Sequence, residues 1–161
     1  MMQPLNIDLT EFRVLFEVAA AMLLGALIGL DREAAEKPAG IRTHMLVAGA
    51  AAFLVSLGQL SVEQFGNLLG AELIRADPIR VIEAVITGVS FLGAGTIIRR
   101  QSQEDVKGLT TAASILFAAT VGIGVALSQW ITVLGATGMV LITLRLLPPI
   151  ERWLKKYWIN K

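Results

Sequence analysis

Five apolar runs of eighteen or nineteen residues dominate this chain: Phe12–Leu30, Thr43–Leu60, Val81–Ile98, Leu109–Leu127 and Trp130–Leu147. A helix rises about 1.5 Å per residue, so each run spans about 27–29 Å, close to the roughly 30 Å of a bilayer's hydrocarbon core. A soluble bundle needs a polar face on each helix, and these runs have almost none. Only 17% of the 161 residues are charged, against about 25% in a soluble domain, too few to cover five such helices. The expected fold class is all-α: a polytopic membrane protein with five transmembrane helices in a single membrane domain, residues 1–161.

The basic residues orient it. The connections 31–42 and 99–108 and the C-terminal end hold eleven of the fourteen Lys and Arg residues. Arg13, Arg75 and Arg80 lie on the other side. Short loops rich in Lys and Arg stay in the cytoplasm, so the N-terminus reads as outside and the C-terminus as cytoplasmic. Met1–Thr10 contains no Lys or Arg and lacks the basic start of a signal peptide, so the first run is expected to remain as the first span. The absence of cysteine excludes disulfides, thiolate zinc sites and iron–sulfur ligation.

The connections carry their own signals. Ser61 and Gln64 have capping-box spacing, and Phe65, Leu68, Leu69 and Leu73 recur at helical spacing. A short amphipathic segment, 61–76, is expected on the outer surface. Asp77-Pro78 reads as an N-cap followed by Pro at the first helical position. Ser128-Gln129 is a very short hairpin, and Trp130 is placed like an interfacial anchor. Pro148-Pro149 is expected to end the fifth helix and open a basic, aromatic tail, 148–161. That tail suits the anionic inner leaflet rather than nucleic acid.

Small residues mark where helices can meet. Ala21, Gly25 and Gly29 form a stripe on the first span; Ser114, Ala118, Gly122 and Ala126 form one on the fourth. The third span carries Ala84, Gly88, Gly93 and Gly95. Membrane helices associate where small residues let backbones approach, either within one chain or between copies, a dimer being the simplest oligomer. Gly93-Ala94-Gly95 either bends the third helix or admits a neighbour.

Two carboxylates fall inside the spans, Glu17 and Glu83, both in the outer half. A charge near the bilayer centre costs about 2.5–3.5 kcal/mol on insertion scales, so such residues are functional candidates. Thr87 and Ser90 share a helical face with Glu83, and Glu17 shares the stripe of Ala21 and Gly25. Both faces are expected to point toward other helices. Together the four residues form a candidate cation pocket, suited to a hard ion such as magnesium. The competing reading pairs Glu17 with Arg13 and Glu83 with Arg80.

A second polar set lies at the cytoplasmic ends: Asp31, Arg32 and Glu33, then Arg42, Thr43 and His44, then Arg99, Thr110 and Thr111. Its mixed signs suggest a salt-bridged lid. His44 alone lacks partners at metal-ligand spacing. No nucleophile–base pair, zinc-protease motif, P-loop or dinucleotide fingerprint is present, so no enzyme and no cofactor is expected beyond a possible magnesium ion.

The cytoplasmic-end motifs carry a family resemblance. Gly25–Glu33 with Pro38–His44, then Asp77–Arg80 with Gly88–Gly95, then Gly108–Ala113, resemble three ordered blocks of the MgtC/SapB family. The likeness covers roughly residues 12–147. It implies a multi-pass protein of the bacterial inner membrane, linked to magnesium homeostasis and stress adaptation, in a family with roles in virulence. It further implies a membrane-protein partner such as the F-type ATP synthase, which the founding type restrains. The founding type also has a C-terminal ACT-like domain, expected to be absent here because the chain ends soon after the last span. Asp31 stands where the family often has Glu, and Glu83 where it often has Gln. Two functions follow: a regulator of other membrane machinery, or a magnesium transporter or channel that uses the intramembrane carboxylates.

Overall fold

The computed structural model describes residues 9–69, 78–99 and 106–159. In chain order these form α1 (Leu9–Ala34), α2 (Ile41–Leu69), α3 (Pro78–Ala94), β1 (Ile98–Arg99), β2 (Val106–Lys107), α4 (Leu109–Ala126) and α5 (Trp130–Ile159). The helices α1, α2 and α4 pack against one another at the centre. The helix α3 lies on α4 and α2, and α5 lies along α1 and α4.

The distribution of side-chain sizes identifies the solvent. The centre is built largely of Ala21, Ala48, Ala51, Ala52, Ala118 and Ala119, with Ile28 and Ile115 between them. The large apolar residues point outward: Phe91 is 85% exposed and Ile131 90%. Water would drive the large groups inward; hydrocarbon does not, and small residues at the contacts let the helices come close. The described portions of α1, α2, α4 and α5 are long and apolar enough to cross a membrane. With 17 residues, α3 stands at the short end of the spanning range. The protein is a multi-pass α-helical membrane protein: among the described residues four helices are long and apolar enough to cross, and α3 is a shorter fifth.

The glycine stripes serve contacts within the chain. A methyl group on Gly25 would lie 2.5 Å from the His44 carbonyl oxygen of α2, and one on Gly29 2.6 Å from Ile41 Cα. On α4, a methyl on Gly122 would run into the Ala48 carbonyl. Gly93 faces Ala112 of α4. Gly88 departs from the expectation, since a side chain there would meet open space. Gly93-Ala94-Gly95 does not bend α3 but closes it: the helix ends at Ala94, and the chain turns through Gly95 and Thr96 into β1. The antiparallel pairing of β1 with β2 was not signalled in the charged 99–108 connection.

Two hairpins are sharp for one reason. After α1, the N–H of Lys37 donates to the Arg32 carbonyl and that of Glu36 to Glu33. After α4, Gln129 donates to Gly124 and Ser128 to Val125. Each is a Schellman closure with its key residue in the left-handed region, Glu36 at φ 51° and Ser128 at φ 56°.

Two boundaries differ from the sequence reading. The segment 61–76 does not begin a separate surface helix: α2 continues without a break to Leu69, and 70–76 lie outside the described residues. Ser61 is an interior residue, its hydroxyl donating to the Leu57 carbonyl at 2.8 Å, so no cap forms there. Likewise α5 does not stop at Pro148-Pro149, and 148–159 continue the helix. Each proline removes one helical donor, yet the turns beyond are helical, with Trp153 stacked on Tyr157 at 6.0 Å.

Gly25→Leu should destabilise the protein by about 1–3 kcal/mol through overpacking of α1 against α2. Gly88→Leu should fall within about 0.5 kcal/mol of the wild type. Apparent melting temperatures of the purified variants in detergent check both.

Candidate functional site

Polar groups inside the bundle gather at two levels. At the outer level, Glu17 is 3% exposed. Its Oε2 accepts a 2.8 Å hydrogen bond from the Ser56 hydroxyl of α2, and its Oε1 lies 3.6 Å from Arg13 Nε one turn earlier. The carboxylate is thus held by a buried hydroxyl and a half-exposed guanidinium, as the i,i+4 spacing suggests. Phe16 and Trp130, tilted together at 5.9 Å, tie α1 to α5 at this level.

Glu83 is elsewhere. It is exposed on α3, and Thr87 and Ser90 along the same face are exposed too. Among the described residues it has no ion pair, with Arg80 or with any other group. The proposed pocket of Glu17, Glu83, Thr87 and Ser90 is therefore not assembled within one chain. The reason is packing: α1 buries Glu17 against α2, whereas the side of α3 that meets α4 and α2 is its apolar one, with Val85 buried. Among the described residues, no three of His, Asp and Glu come together as a metal site.

At the cytoplasmic level the polar set divides. His44, fully buried, joins α2 to α4. Its Nδ1 donates to the Gly40 carbonyl at 2.8 Å, and its Nε2 lies 3.0 Å from Ser114 Oγ. A carbonyl can only accept, so Nδ1 carries the proton, and a neutral ring leaves Nε2 to accept from Ser114. Ser114 Oγ also lies 2.9 Å from the Thr111 carbonyl, so its single proton has two acceptors in reach. Glu33 performs a capping role: its Oε2 accepts from the Ile41 N–H at 2.9 Å, satisfying the first donor of α2 from the end of α1.

Asp31 and Arg32 form the buried charged pair. Both Nε and Nη2 of Arg32 donate to Asp31 Oδ2, and both residues are buried. Arg145 of α5 donates to the other oxygen, Oδ1, at 3.2 Å. This three-residue group lines a cavity of about 870 Å³ with Lys37, Thr110, Thr111 and Glu151. Of the polar set read from the sequence, Asp31, Arg32, Thr110 and Thr111 meet here. Arg42 is exposed, Thr43 is half-buried, and the Arg99 side chain lies outside the described residues. Arg145, Ser56 and Ser114 were missed as site residues. Arg145 had a visible signal, as the one cation inside the apolar run Trp130–Leu147.

Comparison with known families decides the relationship. The model of the MgtC family matches residues 18–153. The chain belongs to the MgtC family. Among its relatives, an uncharacterized protein of Haemophilus influenzae is 37% identical over 136 residues, 84% of this chain and 56% of the relative. SrpB of Synechococcus elongatus is 35% identical over 151 residues, 89% of this chain and 80% of the relative. MgtC of Salmonella typhimurium is 37% identical over 131 residues, 81% of this chain and 50% of the relative. The chain thus spans about half the length of two of these three relatives. No solved structure matches it.

Asp31→Asn should leave the Arg32 guanidinium, 5% exposed, without its counter-charge and cost about 3–5 kcal/mol. Arg145→Gln removes a side chain that is 73% exposed and should cost no more than about 1 kcal/mol. Thermal unfolding of the two variants measures the contrast.

Proposed function

We infer that this MgtC-family protein acts in magnesium homeostasis and stress adaptation in the bacterial inner membrane, by contacting and regulating other membrane machinery. The observation that carries this reading is the direction of the α3 polar face. Glu83, Thr87 and Ser90 are exposed on the outside of the bundle rather than around an internal path. A carboxylate left against lipid is costly, so the face favours a neighbouring protein helix that supplies donors. Close contacts at Gly25, Gly29 and Gly122 supply the second support, because they leave the α1–α2–α4 centre filled by backbone and alanine. The link to magnesium is supported by the family resemblance and by the name of one relative, the "Putative magnesium transporter YhiD" of Escherichia coli. The partner reading extends to the F-type ATP synthase as the first candidate, and it assigns the protein no catalysis of its own.

The transporter reading predicts flux that depends on Glu83; the regulator predicts none. Proteoliposomes holding an internal magnesium indicator, with orientation verified, should show no magnesium entry with either the wild type or Glu83→Gln. A photo-crosslinking residue at Thr87 should capture a membrane partner in cells starved of magnesium, and Glu83→Gln should reduce the captured yield several-fold. Magnesium entry in the wild type that Glu83→Gln abolishes would overturn the regulator and establish a transporter.

A further inference from the structure

The cytoplasmic cavity lined by Asp31, Arg32 and Arg145 adjoins a second hollow. That hollow, about 390 Å³, lies between α1 and α5 and is lined by Leu27, Leu30, Leu141, Ile142 and Leu146, with Arg145 shared between the two. One end therefore sets charged groups among apolar residues such as Leu109 and Leu147, and the other is aliphatic apart from Arg145. Arg145 stands fifteen residues beyond Trp130, about 22 Å along α5, so its Cα lies about 8 Å short of the inner edge of a roughly 30 Å core, within reach of that edge for its long side chain. Leu141 and Ile142 lie about one turn deeper, as does Leu27 on α1 relative to Asp31, while Leu30 directly precedes Asp31.

The polar end favours an anion. Arg32, Lys37 and Arg145 face Asp31 and Glu151, leaving one positive charge in excess. Asp31 is already shared between the two arginines. The start of α4 adds to this: Gly108 at its N-cap provides no side-chain cap, and the first helical donor is Ala112. The N–H groups of Leu109, Thr110 and Thr111 therefore lack helical acceptors at the cavity wall, where the helix end carries partial positive charge.

We propose that the joined hollow is a specific site for an anionic phospholipid of the inner leaflet. Its phosphate sits among Lys37, Arg145 and the start of α4, and one acyl chain lies in the α1–α5 groove. Charge complementarity at one end and aliphatic lining at the other, at the depth where a lipid makes the same transition, select this occupant over a free anion. Guanidinium groups bind phosphate oxygens well, and Arg145, largely exposed, can turn between Asp31 and the phosphate. The site does not depend on whether the protein regulates or transports.

The test is native mass spectrometry of the full chain released from nanodiscs of equal phosphatidylglycerol and phosphatidylcholine. The wild type should retain phosphatidylglycerol at least fivefold over phosphatidylcholine. Lys37→Gln/Arg145→Gln should lose that preference, and so should Ile142→Trp, which fills the groove and leaves the charges. Lys156→Gln, in the exposed distal part of α5 and away from the cavity, should keep it. Equal retention of the two lipids by the wild type, or an equal loss in Lys156→Gln, would reduce the effect to general surface charge and overturn the site. Release of the bound lipid by millimolar inorganic phosphate with Ile142→Trp unaffected would mark a free-phosphate pocket and overturn the lipid assignment.

Discussion

The close approach of α1 and α4 to α2 is the contact on which everything else rests. In hydrocarbon there is little hydrophobic drive to bring helices together, so contact area and satisfied polar groups must do it. Gly25 and Gly29 place α1 against the His44–Ile41 backbone, and Gly122 places α4 against Ala48. Once the backbones are that near, a small number of hydrogen bonds can cross between them: Glu17 to Ser56 and His44 to Ser114. Both need near neighbours, and both are buried. Alanine packing and buried polar bonds are two aspects of the same geometry.

The cytoplasmic end follows from that centre. The tight α1–α2 turn brings Glu33 over the start of α2, so a side chain from one helix satisfies the first donor of the next. The same turn leaves Asp31 and Arg32 facing α4 and α5 rather than solvent. A buried ion pair is a weak source of stability, because desolvation offsets most of the attraction. Its effect is positional: Arg145 is drawn in from α5, a helix otherwise loosely attached to the bundle.

The five helices are legible in the sequence because length and apolarity alone specify them in a membrane. The glycine stripes on α1 and α4 are legible because a four-residue interval fixes one face. Three features are not. The capping-box spacing at Ser61 is local chemistry that a continuing helix overrides by giving the hydroxyl a carbonyl one turn back. Pro148 and Pro149 forbid two hydrogen bonds, not the whole helix. The direction of Glu83 depends on which side of α3 meets α4, and both sides of α3 contain small residues. In the charged cluster, Asp31 and Arg32 are adjacent in sequence and easily grouped. Arg145 is 114 positions away, and only the fold brings it to the same carboxylate.

The short α3 has a further consequence. Its 17 residues make a rod of about 26 Å, the shortest of the five helices and a little under the thickness of the hydrocarbon, while α2 runs for 29 residues. Lipids beside α3 must compress to match it, at a cost of fractions of a kcal/mol per ångström, while those along the longer helices need not. The compressed annulus shrinks when another short helix lies against α3. Membrane elasticity would thus favour any contact that covers α3, and that preference would vary with the thickness of the bilayer.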